Sequence, residues 1–441
     1  MSGKSITVDY ISRVEGQGAL NIGISAEGDV KEVQLRIFEP PKFFESFLVG
    51  RRFDEAMELT SRICGICPVA HQITALRAVE NAMEVTISDQ TRDLRKLLAI
   101  SGHISSNVLS MYFLALPDLF GYESAIAMVQ DHPSVVKRGL RLKKLGNDLA
   151  DLIGGRSVHP VTAVVKGFTK LPSREHLETF RKRLEDAKEN AVETVEMFAG
   201  LEMPDFTRKC EHIALSDPKE YAINEGRLVS TEGLSIDESE YRKYITEKQV
   251  LYSYAKHSSV IGHSSFLVGP LARVNLNFNK LSQDAQEAAK NTDFKFPNFN
   301  PFVAHLARAV ELVHDIDDCI EIIERLPLKD EDRTVKIKEG EGFAVTEAPR
   351  GILYHSYKID RDGIIVGADI VPPTAHNANN IEKDLWQFVP NLLNLPLEET
   401  TLKCEMLIRA YDPCVSCSTH FLRMDIREVG ARQKCVPKMN I

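Results

Sequence analysis

Tryptophan is nearly absent: the 441 residues contain one. An aromatic stacking surface of the kind that holds single-stranded nucleic acid is therefore not expected. Basic charge is not in excess either. Lys and Arg number 54 against 63 for Asp and Glu, a formal net charge of −9. No basic run interrupts this balance, so nucleic-acid binding is excluded as the main function. The opening MSGKSITVDY has no apolar h-region, which predicts a cytoplasmic protein with reduced thiols. No G-x-G-x-x-G is present, and Gly3-Lys4-Ser5 lacks the upstream glycine of a Walker loop, so nucleotide chemistry belongs elsewhere. Internal repeats, low-complexity segments and flexible linkers are missing too. Hydrophobic residues make up 43% and charged residues 27%, which excludes disorder, collagen-like repeats and coiled-coil rods. The length predicts about three domains' worth of chain, or one large body with several lobes.

A long run free of Asp, Glu, Lys and Arg does occur, from Leu97 to Pro117. It carries His103, Asn107, Gly102, Ser101, Ser105, Ser106 and Ser110, which are costly in lipid. The run reads as a helix buried in protein, with no direct membrane span. Elsewhere the pattern is mainly α with small peripheral β-sheets. Ile6, Val8 and Tyr10 alternate with polar residues, a short strand. Ala19–Ser25 and Val30–Phe38 flank a turn at Ala26-Glu27-Gly28-Asp29, a hairpin. Helices are predicted over His71–Ala82, Asp89–Leu116 and Ser134–Leu152. Leu177, Phe180, Leu184, Ala187, Ala191, Val195 and Phe198 recur at spacings of three and four, giving another from a Ser173 cap to Gly200. Short strands are predicted near Arg227–Ser230 and Glu247–Tyr252. Helix is predicted at Phe302–Leu326, strands at Gly351–Tyr357 and Gly363–Val371, and helices at Glu382–Leu393 and Leu397–Arg409. We divide the chain into an N-terminal β-rich lobe (1–60), a helical core (61–200), a mixed lobe (203–280), a β/α segment (340–420) and a tail (421–441).

Eight cysteines remain to be explained. Four form two C-x-x-C pairs, Cys64/Cys67 and Cys414/Cys417, 350 positions apart. Two intervening residues let a pair of thiolates converge on one metal, so two pairs make a four-thiolate site possible. Zinc, iron–sulfur or another thiophilic metal would suit it. A zinc ribbon places its pairs roughly 15–20 residues apart, so a local knot does not fit. A thioredoxin-like dithiol is not supported, because no βαβ pattern surrounds either pair. Cys319 and Cys404 fall in helical patterns and read as core.

The flanking residues narrow the choice. The first pair sits in Arg62-Ile63-Cys64-Gly65-Ile66-Cys67-Pro68-Val69-Ala70-His71, the second in Asp412-Pro413-Cys414-Val415-Ser416-Cys417-Ser418-Thr419-His420. These match RxCGxCxxxH and DPCxxCxxH, and here the sequence resembles the large, catalytic subunit of nickel–iron hydrogenases. The resemblance extends through Arg13-Val14-Glu15-Gly16, Glu347-Ala348-Pro349-Arg350-Gly351 and Pro373-Thr374-Ala375, nearly the whole chain. The variants around these motifs look most like the cytoplasmic branch serving nucleotide- or heterodisulfide-linked complexes.

The resemblance implies the following roles. Cys64 and Cys414 are terminal nickel ligands, and Cys67 and Cys417 bridge nickel to an iron that carries cyanide and carbon monoxide. Glu15 relays protons beside Cys414. Arg350 overhangs the open metal position, with Asp118 as its acidic partner. Glu45, His420 and the backbone carbonyl near Ile370 hold magnesium. Pro373 and Thr374 pack against the iron's small ligands. His71 hydrogen-bonds a bridging sulfur. The implied activity is reversible cleavage of H2 to protons and electrons. The electrons pass to an iron–sulfur small subunit, since this chain has no spare cysteine set for a relay. Further flavin and iron–sulfur subunits and a maturation endopeptidase are implied as partners. The family is commonly cut just after the motif histidine, yet 21 residues follow His420 here, so the tail is either a maturation peptide or retained. Three rivals stand beside this reading: a zinc-stabilised scaffold, a non-catalytic subunit like those of respiratory complex I, and a hydrogen sensor.

Overall fold

The computed structural model describes residues 4–39 and 43–419. Long helices form its centre. Asp89–Val108 packs on Pro133–Gly154 and on Ala304–Arg325, and Ala304–Arg325 packs in turn on Arg174–Ala199. The charge-poor run is thus a core helix. Asp89–Phe120 is long and apolar enough to cross a membrane, but 72% of its most apolar window is buried inside the protein. Ser88 and Ser173 cap their helices by accepting from the backbone N–H of Thr91 and His176, which satisfies donors that a helix start leaves free.

Small sheets surround the helices. Lys4–Val8, Gly18–Ile24 and Val30–Ile37 form an antiparallel meander. Gly340–Ala348, Gly351–Ile359 and Ile365–Val371 form another. A four-stranded sheet is built from Glu211–Ser216, Arg227–Ser230, Ser235–Ile236 and Phe266–Leu267. The second meander lies directly on helix Pro68–Met83. Gly342 permits this: a Cβ there would stand 2.1 Å from Ala78 O, closer than any side chain tolerates. The helix that follows the first cysteine pair is thereby pressed onto the strands that lead to Arg350.

Several boundaries depart from the sequence reading. The helix expected through Leu116 changes register, with Leu109–Ala115 in wider π turns before Leu116–Phe120. Pro117 has no N–H with which to continue the α ladder. The helix expected from Glu382 begins nine residues earlier and runs Pro373–Phe388. Its first turns carry buried Asn377 and Asn380, which bond Val268 and Tyr411, so apolar periodicity could not reveal them. The strand expected over Glu247–Tyr252 is instead Ile245–Lys248.

Candidate metal centre

The two cysteine pairs meet although the chain separates them. Their four Sγ atoms all lie within 4.8 Å of one another, and all four residues are buried. Cys64 and Cys414 approach to 3.2 Å, Cys67 and Cys417 to 3.4 Å, and Cys414 and Cys417 to 3.1 Å. The first pair is held locally. Cys64 Sγ accepts from Ile66 N at 3.3 Å, and Cys67 immediately precedes helix Pro68–Met83, whose first residue is a proline suited to that position. The second pair follows helix Leu397–Tyr411, which ends at Asp412 in a left-handed conformation (φ 52°). The chain then turns through Cys414 into the single turn Val415–Ser418.

Glu15 joins this second loop by several contacts. Cys414 Sγ donates to Glu15 Oε2 at 3.0 Å, Ser416 N donates to the same oxygen at 3.1 Å, and the Ser416 hydroxyl donates to Oε1. Val415 N donates to Glu15 O at 2.9 Å. Thr374 Oγ1 accepts from Cys414 N at 2.8 Å. Thr374 follows Pro373 in the first turn of its helix.

Arg350 is 2% exposed. Its Nε donates to Asp412 O at 2.6 Å, Nη2 to Asp412 Oδ1 at 3.1 Å and Nη1 to Ser106 Oγ at 3.4 Å. Asp412, not Asp118, is therefore its acidic partner. Asp118 instead binds Arg13 and Arg409, the latter at 2.6 Å. Burial works against the charge on Arg350, but Asp412 and the neighbouring cysteine sulfurs outweigh it and raise its pKa well above normal. The thiols divide in the same field. Hydrogen bonds from Cys414 and Cys417 hold Cys64 well below an ordinary thiol, while burial pushes Cys414 and Cys417 well up. A buried set of four thiols cannot lose all its protons without a cation.

Glu45 lies on the short helix Phe44–Leu48, and its Oε1 accepts from Ile370 N at 2.9 Å. Burial raises its pKa above that of an ordinary glutamate. His420 lies outside the described residues, as does the tail after it. Near Cys67, His71 Nδ1 shares a hydrogen bond with His355 Nε2 at 3.1 Å, and His355 Nδ1 shares one with the Tyr357 hydroxyl at 2.7 Å.

Asp412, Ser416, Ser106 and His355 were not assigned from the sequence. Asp412 and Ser416 stood inside the second motif and could have been found there. Ser106 and His355 carried no signal, because only the fold brings them near.

The donor set fits a nickel–iron centre: soft, buried thiolates converge, a fixed cation faces them, and a carboxylate touches one sulfur. A structural zinc site needs neither Glu15 nor Arg350. Comparison with known proteins agrees. Residues 42–138 and 219–420 match the nickel-dependent hydrogenase family. The chain is 37% identical to the alpha subunit of sulfhydrogenase 1 from Pyrococcus furiosus, over 95% of this chain and 98% of that one. It is 29% identical to a subunit of the vhc F420-non-reducing hydrogenase from Methanococcus voltae, over 94% of each. Among solved structures, an NAD+-reducing [NiFe]-hydrogenase in the H2-reduced state superposes with a TM-score of 0.85 at 24% identity, covering 95% of this chain and all of that one. With the family matched over most of its length, this chain belongs to the nickel-dependent hydrogenases, as their large, catalytic subunit.

Proposed function

We propose that this chain cleaves H2 reversibly at a nickel–iron centre held by Cys64, Cys67, Cys414 and Cys417. The observation that carries the reading is the convergence of four buried Sγ atoms with Glu15 on one of them and Arg350 beside them. Cys64 and Cys414 would be terminal ligands to nickel, and Cys67 and Cys417 would bridge to iron bearing cyanide and carbon monoxide. When bound, that centre supplies heterolytic H2 cleavage and takes up the electrons.

The chain's own groups handle the proton and the charge. Cys414 Sγ is the first proton site. Glu15 Oε2 receives the proton from it, and the Ser416 hydroxyl on Glu15 Oε1 orients the carboxylate. Arg350 holds a fixed positive charge beside the sulfurs, with its plane set by Asp412. Thr374 supports the second loop through the Cys414 amide, and Pro373 and Thr374 would pack against the small ligands of iron. His71, fixed by His355, tunes Cys67. Asp118 is not part of this machinery; with Arg13 and Arg409 it braces the segment preceding Glu15. Glu45, His420 and the backbone near Ile370 would hold magnesium.

Electrons pass to an iron–sulfur small subunit, and flavin-bearing or further iron–sulfur subunits complete the assembly. The relatives are themselves named as subunits of hydrogenases, which supports a multisubunit complex. We place it in the cytoplasm, with a maturation endopeptidase acting after His420, and read the segments 1–60, 61–200, 203–280 and 340–420 as lobes of one unit.

The test is metal analysis of the anaerobically purified complex with an infrared spectrum of the same sample. Nickel and iron near one each, with bands from metal-bound cyanide and carbon monoxide, are expected. Zinc alone in processed chain, with no such bands, would overturn the reading. H2 turnover in the same sample separates an enzyme from a sensor.

A further inference from the structure

Arg273 takes no part in the site described so far, yet it is 0% exposed. It lies on helix Pro270–Asn277. Its Nε and Nη2 donate to Glu311 Oε1 and Oε2 at 2.6 and 2.8 Å. Its Nη1 donates to Glu347 Oε2 at 3.1 Å and to Ala348 O at 3.0 Å, and Nη2 donates to Pro349 O at 3.1 Å. All five N–H groups of the guanidinium are thereby used. Two of them hold the carbonyls of the residues just before Arg350.

The surroundings fix this clamp in turn. Tyr221 OH donates to Glu311 Oε1 at 2.7 Å. Glu347 Oε1 accepts from Leu215 N at 2.8 Å, and Glu347 N donates to Ile223 O at 2.7 Å. On the other side of Arg350, Gly351 has φ 133°, and a Cβ there would meet Val268 Cγ2 at 2.4 Å and Gly269 N at 2.9 Å. The backbone from Glu347 to Gly351 is therefore gripped on both flanks. A buried ion pair is a weak source of net stability, because desolvation consumes most of the attraction. Five directed bonds converging on one short segment are a strong source of precise placement.

We propose that Arg273 is a positioning residue for Arg350, holding its backbone so that the guanidinium meets Asp412 and Ser106 in one geometry near the sulfurs. The inference rests on the reading of Arg350 given above. Lysine at 273 keeps the charge but offers three donors and no planar fork, so it cannot hold Glu311, Glu347, Ala348 and Pro349 together.

The experiment uses the full chain in its purified, metal-loaded complex. Arg273→Lys should lower kcat for H2 oxidation by about tenfold or more, the scale of a small misplacement of a reacting group. KM for H2 and nickel per chain should stay within about twofold, since neither binding nor loading needs the clamp. The second measurement repeats the substitution in an Arg350→Lys background. If Arg273 acts through Arg350, it should cost less than about twofold there, because groups acting as one unit are not additive. The same tenfold loss in both backgrounds would overturn the proposal and leave a structural role. So would an unchanged kcat, or a loss matched by lost nickel. If Arg350→Lys alone turned over at the wild-type rate, the reading of Arg350 would fail instead.

Discussion

The two cysteine pairs are chemically alike but are held in opposite ways. Cys64 and Cys67 are fixed by their neighbours: Ile66 N bonds the Cys64 sulfur, and Pro68 begins the buried helix behind them. Cys414 and Cys417 are fixed from afar. Thr374 holds the Cys414 amide, and Glu15 holds Cys414, Val415 and Ser416. Val415 packs with Ile37 and Ala255. One half of the centre is thus a local motif, and the other is assembled by segments that come together only in the finished fold. The second half therefore draws on the N-terminal segment and on the helix at Pro373.

Substitutions on the two sides should separate these roles. Cys414→Ser removes a ligand and should abolish nickel retention, with a loss of activity beyond the ~100-fold typical of a supporting contact; full nickel with wild-type turnover would refute the ligand assignment. Arg350→Lys keeps the charge but loses the fork on Asp412. A fall of about 10²–10³ in kcat is expected, with nickel per chain unchanged. Glu15→Gln keeps the bond from Ser416 N but cannot carry a proton. We expect about a hundredfold loss in kcat with nickel still bound. Loss of nickel in that variant would instead make Glu15 a brace for the second loop, which sharpens the contrast between the pairs.

The same contrast explains what was legible in the sequence. Both C-x-x-C motifs, Glu15 and Arg350 stood in short signatures, and the long amphipathic helix from Ser173 was plain from its spacing. Arg350's partner was misread as Asp118 because a carboxylate's partner is set by tertiary approach, and Asp118 is drawn away by Arg13 and Arg409. Asp412 was within the motif, but its left-handed backbone, which aims both its carbonyl and its carboxylate at one guanidinium, has no sequence signature. The start of the Pro373 helix was missed for a related reason. Its inward face is polar and satisfied by distant partners, so the apolar period that reveals most helices is absent there.

Smaller changes test the remote support directly. Thr374→Val keeps the shape of the side chain but leaves the buried Cys414 N–H without its acceptor, at a cost of about 1–3 kcal/mol. A fall in nickel retention on dilution into chelator should accompany it, with no such fall for an equivalent change beside the first pair.

The gentlest test is one of pH. Glu382 is half-buried, accepts from Leu35 N on the strand Val30–Ile37 and from the Tyr252 hydroxyl, and desolvation pushes its carboxyl up to about 7. In the unfolded chain an ordinary glutamate titrates near ~4.3. Between these values the folded state binds the extra proton, so stability falls as pH rises through the window and levels off above about 7. The slope is at most about 1.4 kcal/mol per pH unit. Glu382→Gln keeps the side chain neutral at every pH and should remove that part of the fall. Thermal midpoints of the two proteins, followed from mildly acid to mildly basic pH, should therefore diverge as pH rises, the variant becoming the more stable. Parallel curves would mean that the place Glu382 takes between the N-terminal sheet and the helix at Pro373 does not raise its pKa.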